Sequence, residues 1–182
     1  SKGIPRKNLC PIAGKPLIAW AVQTALHAEG VSRVVVSTDS DEIATVARRC
    51  GAGVVMRPAH LGADAVTLDP VIHDAVQQEE AAGHSFDVVA TVQPTSPLLR
   101  RATLERILQR LAHEPVDTIL TATNDTHLAW QQGEHGLVPT YEKRLNRQQL
   151  PARFRETGGV LATRKEKIKH IDDVARGRIF VA

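Results

Sequence analysis

Short β-branched runs alternate with amphipathic stretches along most of this chain, and that alternation restricts the fold more than any other feature. Residues 33–37 hold Val34-Val35-Val36, and further apolar runs fall at Gly53–Met56, 87–92 and 117–123. Runs this short and this apolar suit strands buried on both faces. Between them, residues 16 to about 29 repeat Ile18, Val22, Ala25 and Leu26 at helical spacing, behind Pro16 and ahead of Gly30. Asp39 or Ser40 is placed to cap a second helix over about 41–50, with Ile43, Val46, Ala47 and Cys50 inward. A third helix is predicted over 68–82, with Pro70 early in it. A fourth is predicted over 102–113, with Leu104, Ile107, Leu108 and Leu111 inside. Strands are also expected at 159–163 and 178–181. Together these predict a single α/β domain over residues 1–182: three layers, α/β/α, around a largely parallel sheet.

Composition narrows the function classes. Aromatic residues are 3 % of the chain, so Val, Ile, Leu and Ala must build the core. The net charge of +3 is mild and spread among acids, unlike the basic stripe that a nucleic-acid surface needs. Cys10 and Cys50 form neither a metal spacing nor a disulfide framework, which points to reduced thiols in the cytoplasm. No apolar run approaches the ~18 residues of a membrane span. The eight histidines show no ligand spacing, so a zinc site is not expected.

Residues 124–157 read as polar and irregular, too long for a simple connection. They are expected to form an arm or lid carrying substrate contacts or a dimer surface. In open α/β sheets ligands gather at the carboxyl ends of strands, where the loops from Arg57 onward and from Gln93 to Leu98 are predicted to lie. The opening S-K-G-I-P-R-K-N supplies Lys2, Arg6 and Lys7 around Gly3. A triphosphate with about four negative charges needs such a cluster of cations and close backbone amides. The spacing is not that of a P-loop, and a solvated basic terminus would also explain the charge.

Five motifs stand in register: the opening followed by P-I-A-G-K-P-L-I, V-S-T-D at 36–39, R-P-A at 57–59, Q-P-T-S-P-L at 93–98, and R-Q-Q-L-P at 147–151 followed by Phe154-Arg155. In order and spacing they resemble the acylneuraminate cytidylyltransferases, the CMP-sialic acid synthetase family, over nearly the whole chain. The resemblance implies transfer of CMP from CTP to the anomeric hydroxyl of a sialic-acid-like nonulosonic acid, with release of pyrophosphate. It implies that Ser1, Lys2, Lys7 and Asn8 hold the nucleotide and its phosphates, with Lys2 and Lys7 catalytic through charge neutralisation. Arg57 and Asp64 would belong to the cytidine site. Gln93, Thr95, Ser96, Arg147, Gln148 and Arg155 would face the sugar acid, where an arginine fork can pair with both carboxylate oxygens. The bland alternatives are a turn cap for Asn8, loop ordering for Gln93, Thr95 and Ser96, and exposed arm positions for Arg147 and Arg155.

The resemblance further implies Mg²⁺ and a homodimer in which the arm reaches the partner. It also implies a first strand with a P-A-R segment and a terminal acidic D-x-D, neither of which lies within these residues. Asp39-Ser40-Asp41 reads as helix capping, and Asp172-Asp173 precedes the last strand, so neither pair is assigned to metal. Leu161 and Trp130 are expected near the sugar and depart from a typical sialic-acid pocket. Ketodeoxynonulosonate, legionaminate, pseudaminate or 3-deoxy-manno-octulosonate are therefore alternative acceptors, and a catalytically silent nucleotide-binding module is an alternative of another class.

Overall fold

The computed structural model describes residues 4–63, 65–168 and 179–181. The opening makes a short antiparallel pair, β1 (Pro11–Ile12) and β2 (Lys15–Pro16), that leads into α1 (Leu17–Leu26). Then follow β3 (Val35–Thr38), α2 (Asp41–Arg49), β4 (Gly53–Met56), α3 (Leu68–Ala81), β5 (Val88–Val92), α4 (Arg101–His113) and β6 (Thr118–Asn124). A hairpin of β7 (Trp130–Gly133) and β8 (Gly136–Pro139) comes next, then β9 (Phe154–Arg164) and β10 (Ile179–Val181).

The helix starts follow from local chemistry. Ser40 is the cap of α2: its hydroxyl oxygen accepts from the Ile43 amide, and Asp41 and Glu42 sit in the positive first turn. Arg48 and Arg49 occupy the opposite end. Pro16 precedes α1, and Gly30, at φ 83°, turns the chain out after it. Leu26, expected inside, is exposed at the end of α1, while Ala25 and Ala28 are buried.

Two sheets form. β3 and β4 pair in parallel, in register from Val35↔Gly53 to Thr38↔Met56. The other sheet has the order β10-β6-β9-β5, where β10 runs parallel to β6 and β9 opposes both of its neighbours. The expected largely parallel character thus holds for β5, β6 and β10, with β9 reversed between them. Among the described residues, β3 and β5 each keep one edge without a ladder.

Alternation sorts the side chains to two faces. Val88, Ala90 and Val92 of β5 and Val160 and Ala162 of β9 pack toward Leu104, Ile107 and Leu111 of α4 and Ala25 of α1. Val89 and Leu161 face the other way, against Ile72 and Val76 of α3. Under α1 and α2, Ile18, Val22 and Ala47 cover β3 and β4, and Val34 packs into both this cluster and the α4 cluster. Ile107 and Leu111 are 0 % exposed, so truncating either to alanine is expected to cost about 2–5 kcal/mol. Arg164 fastens the far end of β9: its guanidinium donates to the carbonyls of Leu111, Glu114 and Val116 at the end of α4.

The segment expected to be irregular is only partly so: it keeps one 3-10 turn between Pro139 and Phe154, but carries a hairpin before it. The β7–β8 hairpin forms its tip, and β9 begins at Phe154 rather than at residue 159. The missed half of β9 pairs with the end of β6, from Asn124↔Phe154 to Ala122↔Glu156. Backbone ties between Asp125 and Arg153, and between Thr140 and Ala129, close the arm at its base.

Candidate nucleotide and sugar-acid site

The opening turn is tied to α1. Arg6 takes a left-handed φ of 53°, residues Lys7–Leu9 make one 3-10 turn, and the Leu17 amide donates to Cys10 O at 2.9 Å. Trp20 Nε1 donates to Ile12 O at 3.0 Å. Two of the nearby cations are already engaged. Arg6 pairs with Glu42 at the start of α2, while Lys15 Nζ donates to Gln23 and lies 5.0 Å from the Trp20 ring centre. Lys7 is half-buried, and its side-chain ammonium has no carboxylate or hydrogen-bond partner among the described residues. Beside it, Asn8 Oδ1 is buried and accepts no hydrogen bond from them. An orphaned buried acceptor costs about 1–3 kcal/mol, a penalty that a bound donor would remove. Among the described residues, then, a cation without a side-chain partner stands beside an unsatisfied acceptor.

Arg57 leaves β4 at its carboxyl end. Its backbone amide donates to Thr38 O at 2.8 Å and its guanidinium to Ser37 O at 2.9 Å, so it is held across the end of β3. The following turn, Ala59–Gly62, lies tightly on Asp39: a Cβ on Gly62 would stand 2.5 Å from Asp39 Oδ2. Asp39 therefore packs against this loop, whereas Ser40 does the capping.

A small, open cleft lies at the carboxyl end of β5. Thr91 and Gln93, two residues apart, line it from β5 and the turn beyond; Leu161 comes from β9 and Leu68 from the start of α3. The turn after Gln93 is fixed by the Ser96 amide donating to Gln93 O at 3.1 Å. Thr95 is exposed there and Ser96 half-buried; neither lines the cleft.

An irregularity in β9 shapes the opposite wall. Between the pairs Leu120↔Leu161 and Ala122↔Glu156, one residue of β6, Thr121, faces Thr157 to Val160. Bulges of this kind recur beside active sites because they re-aim side chains. Thr121 Oγ1 accepts from the Val160 amide at 2.9 Å and lies 2.9 Å from the Thr157 hydroxyl. Gly158, at φ 68°, carries the chain through a conformation that other residues resist, and a Cβ there would stand 3.0 Å from Gln93 Oε1. Thus the bulge supports the Gln93 amide directly.

Not every predicted residue is gathered here. Arg147 and Gln148 are exposed on a 3-10 turn of the arm, away from the cleft lining. Arg155 is directed to Asp125, its Nε 3.5 Å from Oδ2, rather than into the cleft. Trp130, expected as a wall, sits on the exposed hairpin in an edge-on contact with Tyr141, their rings 5.9 Å apart. It is held there by the arm ladder and does not line the cleft with Leu161. Ser1, Lys2, Asp64, Asp172 and Asp173 lie outside the described residues. Glu156 and Thr121 do line the cleft, and sequence reasoning missed both because the bulge that presents them has no simple alternation to betray it. Among the described residues there is no group of three or more His, Cys, Asp or Glu side chains placed to hold a metal ion. Nor is any described helix long and apolar enough to cross a membrane.

A family model described as cytidylyltransferase matches residues 1–173. An N-acylneuraminate cytidylyltransferase of Oncorhynchus mykiss is 32 % identical over 75 % of this chain, which spans 31 % of that protein. A pseudaminic acid cytidylyltransferase of Campylobacter jejuni is 31 % identical over 68 % of the chain, covering 53 % of that relative. The chain thus spans about half or less of the length of these curated relatives. In fold it is similar to a CMP:2-keto-3-deoxy-manno-octonic acid synthetase solved with CTP, at a TM-score of 0.72 and 16 % identity over 100 % of this chain and 85 % of the other. With a family model covering nearly its full length, and a strand-end cleft where the motif glutamine sits, the chain belongs to the cytidylyltransferase family.

Proposed function

We propose that this chain forms the site that transfers CMP from CTP to a nine-carbon, sialic-acid-like ulosonic acid. The anomeric hydroxyl oxygen attacks the α-phosphorus, the bond to the β-phosphate oxygen breaks, pyrophosphate leaves and the hydroxyl proton passes to solvent. The observation that carries this reading is the position of Gln93, lining a cleft at a strand end, in a cytidylyltransferase chain. Lys7, without a protein partner among the described residues, neutralises phosphate charge, and Asn8 accepts from the nucleotide. Lys2 and Ser1 join them on the resemblance alone. Arg57 orders the cytidine side together with Asp64. Gln93 orients the sugar acid, with Thr95 and Ser96 shaping the turn behind it. Catalysis rests on positioning and charge rather than on a protein nucleophile.

Mg²⁺ remains part of the proposal through the resemblance. The described residues gather no acidic cluster for it, and no step is derived through it. We extend the proposal to a cytoplasmic homodimer in which Arg147, Gln148 and Arg155 act from the arm. Leu137, Val138 and Trp130 leave the hairpin with exposed apolar surface, which supports an arm that docks on a partner. The open edges of β3 and β5 support the further strand that the resemblance implies. Which ulosonic acid is taken stays a matter of the pocket, since relatives acting on N-acylneuraminate and on pseudaminic acid are nearly equally similar. The test is pyrophosphate release from CTP and Mg²⁺ across a panel of ulosonic acids. Release with at least one acid supports the proposal; binding of CTP with no release for any acid favours a silent nucleotide-binding module.

A further inference from the structure

The cleft holds an acidic side chain that the transfer reaction does not use. Among the described residues, Glu156 is the one ionisable residue lining it, and its carboxylate has no hydrogen-bond or ion-pair partner there. It is exposed, at the mouth rather than the floor. Its position follows from the ladder: Glu156 pairs with Ala122 at the last regular step before the bulge. Successive residues of a strand point to opposite faces, so when Glu156 borders the cleft its neighbour Arg155 is turned away, as its pairing with Asp125 requires.

This arrangement reverses the simple expectation for an anionic sugar. The side chain of this strand that meets the ligand is a carboxylate, and the guanidinium beside it is engaged elsewhere. A sugar carboxylate against Glu156 would place like charges together, while a hydroxyl or amide N–H there would donate a charge-assisted hydrogen bond. The opposite wall is Gln93, which both donates and accepts, and the remainder includes the apolar Leu68 and Leu161. We propose that Glu156 is a specificity-determining residue: it accepts from a hydroxyl or acylamino N–H of the sugar acid and turns the sugar's carboxylate away from the bulge. This rests on the reading of the cleft as the sugar-acid site. It adds a substrate class, sugar acids with a hydrogen-bond donor on the side remote from the carboxylate.

The experiment uses the full chain and matched acceptors that differ at one carbon, carrying N-acyl or O-acyl there, or hydroxyl or hydrogen. Wild type is expected to favour the donor-bearing member of one pair by about tenfold or more in kcat/KM, in line with a hydrogen bond to a charged group. In Glu156→Gln, which accepts weakly and also donates, that preference collapses toward unity, through a raised KM for the favoured acid. The KM for CTP stays unchanged. Glu156→Leu loses the preference as well. Because the residue is exposed, both variants should melt with wild type, which separates recognition from folding. If Glu156→Gln keeps the wild-type preference while wild type turns over, this inference fails and the cleft reading stands. If wild type releases no pyrophosphate with any acid, both fail.

Discussion

Replacing Gly158 with alanine tests whether the bulge in β9 holds the sugar-side glutamine in place. The substitution acts in two separable ways. Gly158 has φ 68°, and an L-residue in that left-handed region costs about 1–2 kcal/mol. For a chain of this size that lowers the melting temperature by about 2–8 °C. The new methyl would also stand 3.0 Å from Gln93 Oε1 and 3.3 Å from its Cδ. The amide is the free end of a side chain, so it yields by a few tenths of an ångström instead of breaking the strand. Weakening one hydrogen bond to the sugar acid costs about 0.5–1.5 kcal/mol, which is about 2- to 13-fold in kcat/KM. The assay is pyrophosphate release under varied sugar acid and varied CTP, with a melt of the same samples. Gly83→Ala is the control, since Gly83 also has a positive φ, 86°, but nothing within 4 Å of a new methyl. It should lose stability and keep its kinetics. Combined with Gln93→Ala, the Gly158 effect on the sugar acid should vanish, because the two act through one contact. Equal losses toward CTP and sugar acid, or an undiminished effect without Gln93, would refute the reasoning.

Three further outcomes are expected. Lys7→Met should leave the melting temperature near wild type, because Lys7 has no partner to lose among the described residues, yet cut kcat by about 100-fold or more if it neutralises phosphate; steady-state kinetics check this. Gly62→Ala forces a methyl to 2.5 Å from Asp39 Oδ2, so the Asp39 carboxylate or the loop after Arg57 must shift, and a loop shift is read as a raised KM for CTP with that for the sugar acid spared. Glu114 has its carboxyl held below the usual range, first by the hydrogen bond from Arg110 and then by its charge, so the pair stabilises the fold above the unfolded pKa of Glu114 and loses that effect as pH falls through the folded value. Arg110→Gln should therefore flatten the acid limb of a melting-temperature profile, with little change in activity.

Helix positions were legible where one residue type has one local use. Ser40 before Asp41 and Pro70 in the first turn of α3 mark starts, and the spacing of Leu104, Ile107 and Leu111 marks the buried face of α4. β9 was legible only in its buried half. From Phe154 to Thr157 every side chain is exposed, so no apolar alternation announces a strand, and the bulge at Thr121 then breaks the period. For the site, Gln93 could be read from its motif at a strand end, whereas Glu156 depends on which face a bulged strand presents, a property of pairing and not of spacing. Arg155 and Trp130 failed to enter the cleft for the same reason: arm geometry, set by the hairpin and by Asp125, decides where they point.

The decisive measurement follows the fate of phosphorus. The full chain is supplied with Mg²⁺ and the ulosonic-acid panel, once with CTP labelled at the α-phosphate and once with CTP labelled at the γ-phosphate. The account predicts that the α label moves into a sugar-linked product while the γ label appears in pyrophosphate, in equal amounts. An α label that stays in CTP, or ends in free CMP with every acid tried, would contradict it.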